Sequence, residues 1–412
     1  MAAFSIALSG LTAASSDLDV TANNVANADT VGFKGSRAEF ADVFAAGAVN
    51  LNTSAVGEGV RLASTAQQFT QGNISTTSSN LDLAISGDGF FTLQDPTNGT
   101  VYTRNGEFSE DKNGNVVTGT GQALQVYPPT GTGGFNTGAL EDLNLQTAQS
   151  APQVTTTGTA ILNLPADSPV PPNVGTLGFV ATDPSTFNQS TSTTVYDSLG
   201  NAFPATFFFT QTATPGQWTV NMTVNGQSAG PPQPISFSAT GAVNSANGGI
   251  LTFPGFAPGT GATTPQSMTF NFAQSTQFGG GFGVTSIVQN GFTTGQLSTV
   301  SIDPTGVVSA VYTNGRSTQL GQLALANFPN PQGLKQLGDT NWGETFSSGT
   351  HISGTAGSSG FGDIQSGALE ASNVDLTTEL VNMITAQRAF QANAQVITTA
   401  NQLSQTVINI TH

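Results

Sequence analysis

Apolar residues at the two ends of the chain keep the spacing of a helical seam, whereas those between them alternate as strands do. Near the start, Phe4, Leu8, Leu11, Ser15, Leu18, Ala22 and Val25 are separated by four and three residues in turn. This heptad rhythm puts one narrow stripe on one side of a helix. Near the end, Leu376, Leu380, Met383, Gln387, Phe390, Ala394 and Ile397 repeat it, and a second track, Val396, Ala400, Leu403, Val407 and Ile410, continues it. Asn27 and Gly32 are suited to stop the first helix and turn the chain. Asn373 or Asp375 can cap the second, with Glu379 near the positive end of its dipole. About 35 residues at ~1.5 Å each make a rod on the order of 50 Å long. Such stripes are too narrow for a large core, and helices rich in Ser, Thr and Asn are weak alone. The two ends are therefore expected to pair as a two-helix coiled coil, with docking on a β body as the alternative.

Between the ends the pattern is β. "LDLAISGDGFFTLQD" (81–95) alternates and then runs apolar, with a turn at Gly87–Gly89. In "GTVYTRNGEFSEDKNGNVVT" (99–118), Asn105-Gly106 and Asn113-Gly114 read as hairpin turns. "STTVYDSLGNAFPATFFFTQ" and "GQWTVNMTVNGQ" read as strand, turn, strand, and further turns fall at Asp303–Gly306 and Asn314-Gly315. The expected fold class is α+β, mainly β, with paired N- and C-terminal coiled-coil helices enclosing nested β-rich domains. The expected division is terminal helices at 1–30 and 368–412 and an extended connector at 31–72 and 350–367. A β-rich body occupies 73–145 and 293–349, and an inserted outer β domain 146–292.

Composition narrows the function. Of 412 residues only 8% are charged, against roughly 25% in average soluble proteins, so the surface is built from Thr, Ser, Asn, Gln and Gly. Eight basic against 24 acidic residues give a net charge of −16, which disfavours nucleic acid and anionic membranes as partners. The chain has no cysteine, so disulfides and thiolate chemistry are absent. No apolar run reaches the ~20 residues of a membrane span. "MAAFSIALSGLTAASSDLDV" lacks a basic start and a continuous apolar core, so export with the N-terminus retained is expected rather than a cleaved signal peptide.

Candidate chemistry is thin. "DKNGNV" (111–116) has its Gly fourth, not sixth, and no Glu at the twelfth position of a calcium loop. "GGGFGVTS" and "GTGQAL" lack nucleotide-loop spacing, and His351 and His412 assemble no recognisable metal or triad pattern. Only a carboxylate pair of the glycosidase kind stays open, because its spacing is three-dimensional. No catalytic residue, cofactor or metal is expected, and the chain reads as a non-enzyme.

The segment "TANNVANADTVGFKGSRAEF" (21–40), following a short heptad helix, resembles the N-terminal signature of the bacterial flagellar rod and hook protein family. "GALEASNVDLTTELVNMITAQRAFQANAQVITTANQLSQTVINI" (367–410) is similar to the family's C-terminal signature. "SGDGFFTLQD", "YTRNGEFSEDKNGNVVTGTGQALQVYP" and "LGQLALANFPNPQGLKQLGDTNWGETFSSG" extend the resemblance through the middle. Within the family, the long insert containing "TTVYDSLGN" is similar to hook subunits rather than to shorter rod subunits. A distal rod or hook-associated axial subunit is the alternative, and a monomeric secreted β-rich adhesin or a glycosidase the rivals from other classes.

The resemblance implies a subunit that polymerises into a curved, hollow, flexible tube joining rod to filament. It also implies extracellular location, type III export, and rod, hook-cap and hook–filament junction proteins as partners. The subunit-interface positions expected on the helical seams are Phe4, Leu8, Leu11, Leu18, Val25, Leu376, Leu380, Met383, Phe390, Ile397, Leu403, Val407 and Ile410. Apolar residues outside the first seam, including Ile6, Val20, Val381 and Ile384, want partners that one chain cannot supply. In the motif connector Asn23, Asn24, Asn27, Gly32, Phe33 and Lys34, the asparagines are read as helix-stop residues or as donors to neighbouring subunits. Lys34 and Arg37 are read as pairing with acidic groups of an adjacent copy, or as part of a solvated loop.

Overall fold

The computed structural model describes residues 2–43, 57–131, 133–146 and 150–410, with side chains from Phe4 to Thr406 within these ranges. The protein is mainly β, with one long helix at each end, Ala2–Ala26 and Leu376–Ile410. It divides into two compact units: Met1–Gln146 with Thr299–Val311 and Ser317–His412, and Thr147–Ser298 with Tyr312–Arg316.

In the first unit an antiparallel path runs through Ser317–Leu323, Ala123–Tyr127, Phe90–Asp95, Gly99–Thr103, Asn341–Gly343 and Lys335–Gly338. Its central strand is buried on both faces, which is why "FFTLQD" reads as an apolar run. Side chains alternate across a strand. Phe91 and Leu93 therefore enter one core with Leu83, Ile85, Leu124, Val126 and Leu323. Phe90 turns to the other, with Tyr102, Phe328, Trp342 and the half-buried Phe69. Phe69 packs edge-on against Trp342 at 5.0 Å between ring centres.

The second unit packs two sheets around one core. Gln189–Tyr196, Ala202–Gln211 and Gln217–Val224 form a meander, facing a sheet ordered Ile250–Phe256, Gln266–Asn271, Thr157–Pro165. The turns are those the sequence predicts. Asp197 sits between Tyr196 and its partner Ala202, and Asn225-Gly226 takes left-handed φ values of 51° and 78° between paired Val224 and Gln227. This is the conformation that Asn-Gly favours in tight hairpins.

The N-terminal helix ends at Ala26, where Asn27 N–H is shared between the carbonyls of Asn23 and Asn24, and Gly32 follows at φ 68°. The C-terminal helix is capped by Asp375, whose Oδ1 accepts the Thr378 N–H at 2.7 Å. That bond holds its carboxyl below the usual carboxylate range. Asn373, the other cap candidate, is used elsewhere.

Three regions differ from expectation. Asn105-Gly106 forms no hairpin: Phe108–Glu110 pairs forward with Val116–Thr118, while Gly106 packs its backbone on Leu83, whose N–H it receives at 2.9 Å. A Cβ at Gly106 would lie 1.6 Å from the Leu83 carbonyl oxygen, so this glycine marks a close approach. Within 31–72, Ser36–Asp42 and Val60–Gln67 form an antiparallel pair, and Val60 N–H donates to Ser9 Oγ on the N-terminal helix at 3.2 Å. The stretch 350–367 supplies Ile352–Gly354, paired with Leu325–Asn327, and Asp363–Ser366, paired with Leu83–Ser86. Small residues there tolerate tight packing rather than signalling a free connector.

Candidate assembly interface

The N-terminal helix packs against the C-terminal helix and also against the strand pair Ser36–Asp42 and Val60–Gln67. Ala7, Ala14 and Thr21, seven residues apart, are buried on the first helix, with Asn24 one turn further. On the second, Ala386 is buried and Met383, Asn393, Ala394, Ile397 and Ala400 are half-buried. A Cβ on Gly10 would come within 2.7 Å of Asn393 Oδ1, so the Asn393 side chain lies directly over this glycine and would have to turn aside for a larger residue.

Large apolar side chains lie elsewhere. Phe4, Leu8, Leu376, Leu380, Phe390 and Leu403 are exposed, as are Val381, Ile384 and Val396; Leu403 retains 63% of its accessible surface. Leu11, Leu18, Val25, Met383 and Ile397 are half-buried. Val407 and Ile410 lie on helical backbone, but their side chains are outside those described. The predicted track is thus covered at some positions and exposed at others along its length.

Below the helix pair, the motif residues build an internal latch. Lys34 Nζ donates to Glu370 Oε1 at 2.6 Å and to the Thr70 carbonyl at 2.9 Å. Arg104 reaches Glu370 Oε2 at 3.3 Å and the Gly87 carbonyl at 2.8 Å, with its guanidinium over the Phe90 ring. The Gly72 N–H also donates to Glu370 Oε1, at 2.7 Å. All three charged side chains are buried, and burial pushes the Lys34 ammonium below its ordinary range while the charge of Glu370 opposes the shift. Asn24 and Ser36 exchange two hydrogen bonds at 2.7 and 2.8 Å. Asn373 accepts from Gly35 N–H at 2.8 Å and donates to the Gln68 carbonyl at 2.6 Å. Gly32 N–H donates to the Glu370 carbonyl.

This corrects two expectations. Lys34 is paired within its own chain and is not available to an adjacent copy. Asn24 uses both polar atoms of its side chain internally, whereas Asn23 is exposed and Asn27 is half-buried, bonding back to the Asn23 carbonyl and accepting from Thr30. Phe33 is half-buried. Arg37 pairs with Glu39 at the surface, at 3.1 Å. Glu370 and Arg104 were missed from sequence; the available signal was a lone cation in "YTRNGEF" in a chain with so few charges.

Asp111, read as a faint calcium-loop residue, uses Oδ1 to accept the N–H groups of Asn113 and Asn115, both at 2.8 Å. Its carboxylate organises the turn before Gly114. Among the described residues no group of three or more His, Cys, Asp and Glu side chains could hold a metal, and no helix is long and apolar enough to cross a membrane.

Four family models match in chain order. "Flagella basal body rod protein" covers residues 4–34 and "Flagellar hook protein FlgE/F/G D1 domain" 84–161. "Flagellar basal body protein FlaE D2 domain" covers 163–292, and "Flagellar basal body rod FlgEFG protein C-terminal" 365–410. All four describe basal-body, rod or hook proteins of the flagellum. The flagellar hook protein FlgE of Escherichia coli K12 is 39% identical over 99% of this chain and 100% of its own length. The FlgE of Salmonella typhimurium LT2 is 40% identical over 99% of both chains, and that of Borreliella burgdorferi 33% over 98% of both. The crystal structure of Helicobacter pylori flagellar hook protein FlgE2 shares the fold at a TM-score of 0.53 and 13% identity, covering 72% of this chain and 100% of its own. The chain belongs to the flagellar hook protein FlgE family.

Proposed function

We propose that this protein is the repeating subunit of the bacterial flagellar hook, a non-enzymatic part polymerised into a curved, hollow, flexible tube that transmits torque from rod to filament. One observation carries the reading. The two helices bury small residues such as Ala7, Ala14 and Ala386 and leave Leu380, Val381, Ile384, Phe390, Val396 and Leu403 exposed on the second. At about 100° per residue these side chains point to several sides of the helix; so many exposed apolar groups are costly in water and are covered by copies of the same chain.

In this reading the terminal helices form a two-helix coiled coil lining the inner channel, and the β-rich body and the inserted domain build the outer layers. Rod, hook-cap and hook–filament junction proteins meet the ends of the tube, and subunits leave through the flagellar export apparatus without a cleaved signal peptide. Bending requires outer contacts to slide while inner ones hold. A surface poor in charge suits this, because no strong directional ion pair must break at each turn.

The test compares purified full-length protein with a form lacking both helices by electron microscopy. The full chain should form tubes at high concentration, and the trimmed form should remain a folded monomer. A trimmed form that unfolds, or a full chain that never polymerises, would support the adhesin or enzyme reading instead.

A further inference from the structure

Phe346 stands entirely in solvent, at 105% relative exposure, whereas the exposed Phe4, Phe40, Phe278 and Phe390 retain between 38% and 53%. Its loop is held rigidly. Thr345 N–H donates to Ser348 Oγ at 2.9 Å, and the N–H groups of Ser347 and Ser348 donate back to Thr345 Oγ1 at 3.1 and 3.2 Å. Thr345 Oγ1 donates to the Gly333 carbonyl, and Asn330 Nδ2 ties down the Ser347 carbonyl at 2.9 Å. Ser348 is fully buried. Phe346 is therefore presented by a braced turn, the pre-organised aromatic that makes interface hot spots.

The same unit carries a cleft of about 700 Å³ that Phe346 does not line. Phe33, Phe108 and Trp342 contribute apolar walls, and the Trp342 indole Nε1 is buried with no hydrogen-bond partner in the structure. Another wall is the hairpin tip Asp339-Thr340, at φ 52° and 58°, a strained setting for a β-branched residue. The lining of the cleft bears Asp82, Glu107 and Asp339, with Lys34 already paired to Glu370, so it would repel a free acidic insert; the sequence "TFSSGT" (345–350) is uncharged, and the preceding Glu344 is bonded to His351 Nδ1 at 2.6 Å.

Resting on the hook-subunit reading, we propose that Phe346 is an intersubunit anchor that enters this cleft on a second copy of the chain. Knob and hole on one molecule make a heterologous contact, the kind that propagates into a helical polymer. The experiment uses full-length protein. Phe346→Ala should raise the critical concentration for polymerisation about 10- to 30-fold with unchanged monomer melting, and Phe346→Trp should largely restore it. A benzophenone amino acid replacing Phe346 should crosslink, in polymer only, to peptides containing residues 30–34, 103–109 or 336–342. Polymerisation of Phe346→Ala at the wild-type critical concentration, or crosslinks mapping elsewhere, would overturn the inference while leaving the hook reading intact. Failure of the wild-type chain to polymerise would overturn both.

Discussion

In the inserted unit Phe207, Phe209, Phe253, Phe270 and Phe272 are sealed from water, and Phe207 meets Phe270 edge-on at 4.8 Å between ring centres. In the C-terminal helix Leu380, Ile384, Phe390 and Leu403 remain exposed. Both regions carry enough apolar surface to drive association at about 25 cal/mol per Å². The inserted unit spends it within one chain; the helix keeps it facing outward. Apolar content alone therefore does not say which part of this protein is self-sufficient, and the difference lies in whether opposing sheets close over the side chains.

The two regions should part most visibly under deletion. The inserted unit expressed as residues 147–298 should melt cooperatively in calorimetry, whereas a peptide of residues 373–410 should show little helix by circular dichroism at micromolar concentration. Next in size, Phe207→Ala should cost the inserted unit about 3–5 kcal/mol in denaturant unfolding. Leu403→Ser should change monomer stability by less than about 0.5 kcal/mol and still raise the critical concentration for polymerisation in sedimentation.

The latch gives an intermediate case. Glu370→Gln leaves Lys34 and Arg104 buried without their anion and should destabilise the first unit by about 3–5 kcal/mol, followed by chemical denaturation. Asp197 supplies a smaller, pH-linked effect in the inserted unit. Burial raises its pKa, but hydrogen bonds from Thr260, Asn201 and Leu199 outweigh that and hold it below the usual range. A carboxyl with a depressed folded pKa stabilises above its unfolded value, about 3.9, and loses that contribution as pH falls through the folded one. The unit's melting temperature should thus drop below about pH 4, and Asp197→Asn should remove about 1.5–3 kcal/mol at neutral pH and flatten that dependence.

Local signals were the legible ones. Heptad spacing located both helices, Asp375 was one of two cap candidates beside Asn373, and the segments holding Asp197 and Asn225-Gly226 read as strand, turn, strand, because short polar side chains and left-handed preference act within a few residues. Asn105-Gly106 carried the same local signal and misled, since the strand after it pairs forward and Gly106 is fixed by Leu83, a long-range contact. The heptad track identified helical periodicity but not which of its residues would be covered, because burial depends on neighbours such as Asn393 over Gly10 and the strand pair beside the first helix, which spacing does not encode. Glu370 lies 266 residues from Arg104 and 336 from Lys34, so nothing in either local window pointed to their pairing.

Amide hydrogen exchange across Leu376–Thr406, measured on dilute monomer and on assembled polymer, addresses the incomplete outer face most directly. Exchange should be rapid along the helix in the monomer, and protection greater by several orders of magnitude in the polymer. Equal, strong protection in both would mean that one chain already completes its own helices and that no apolar surface there awaits a neighbour.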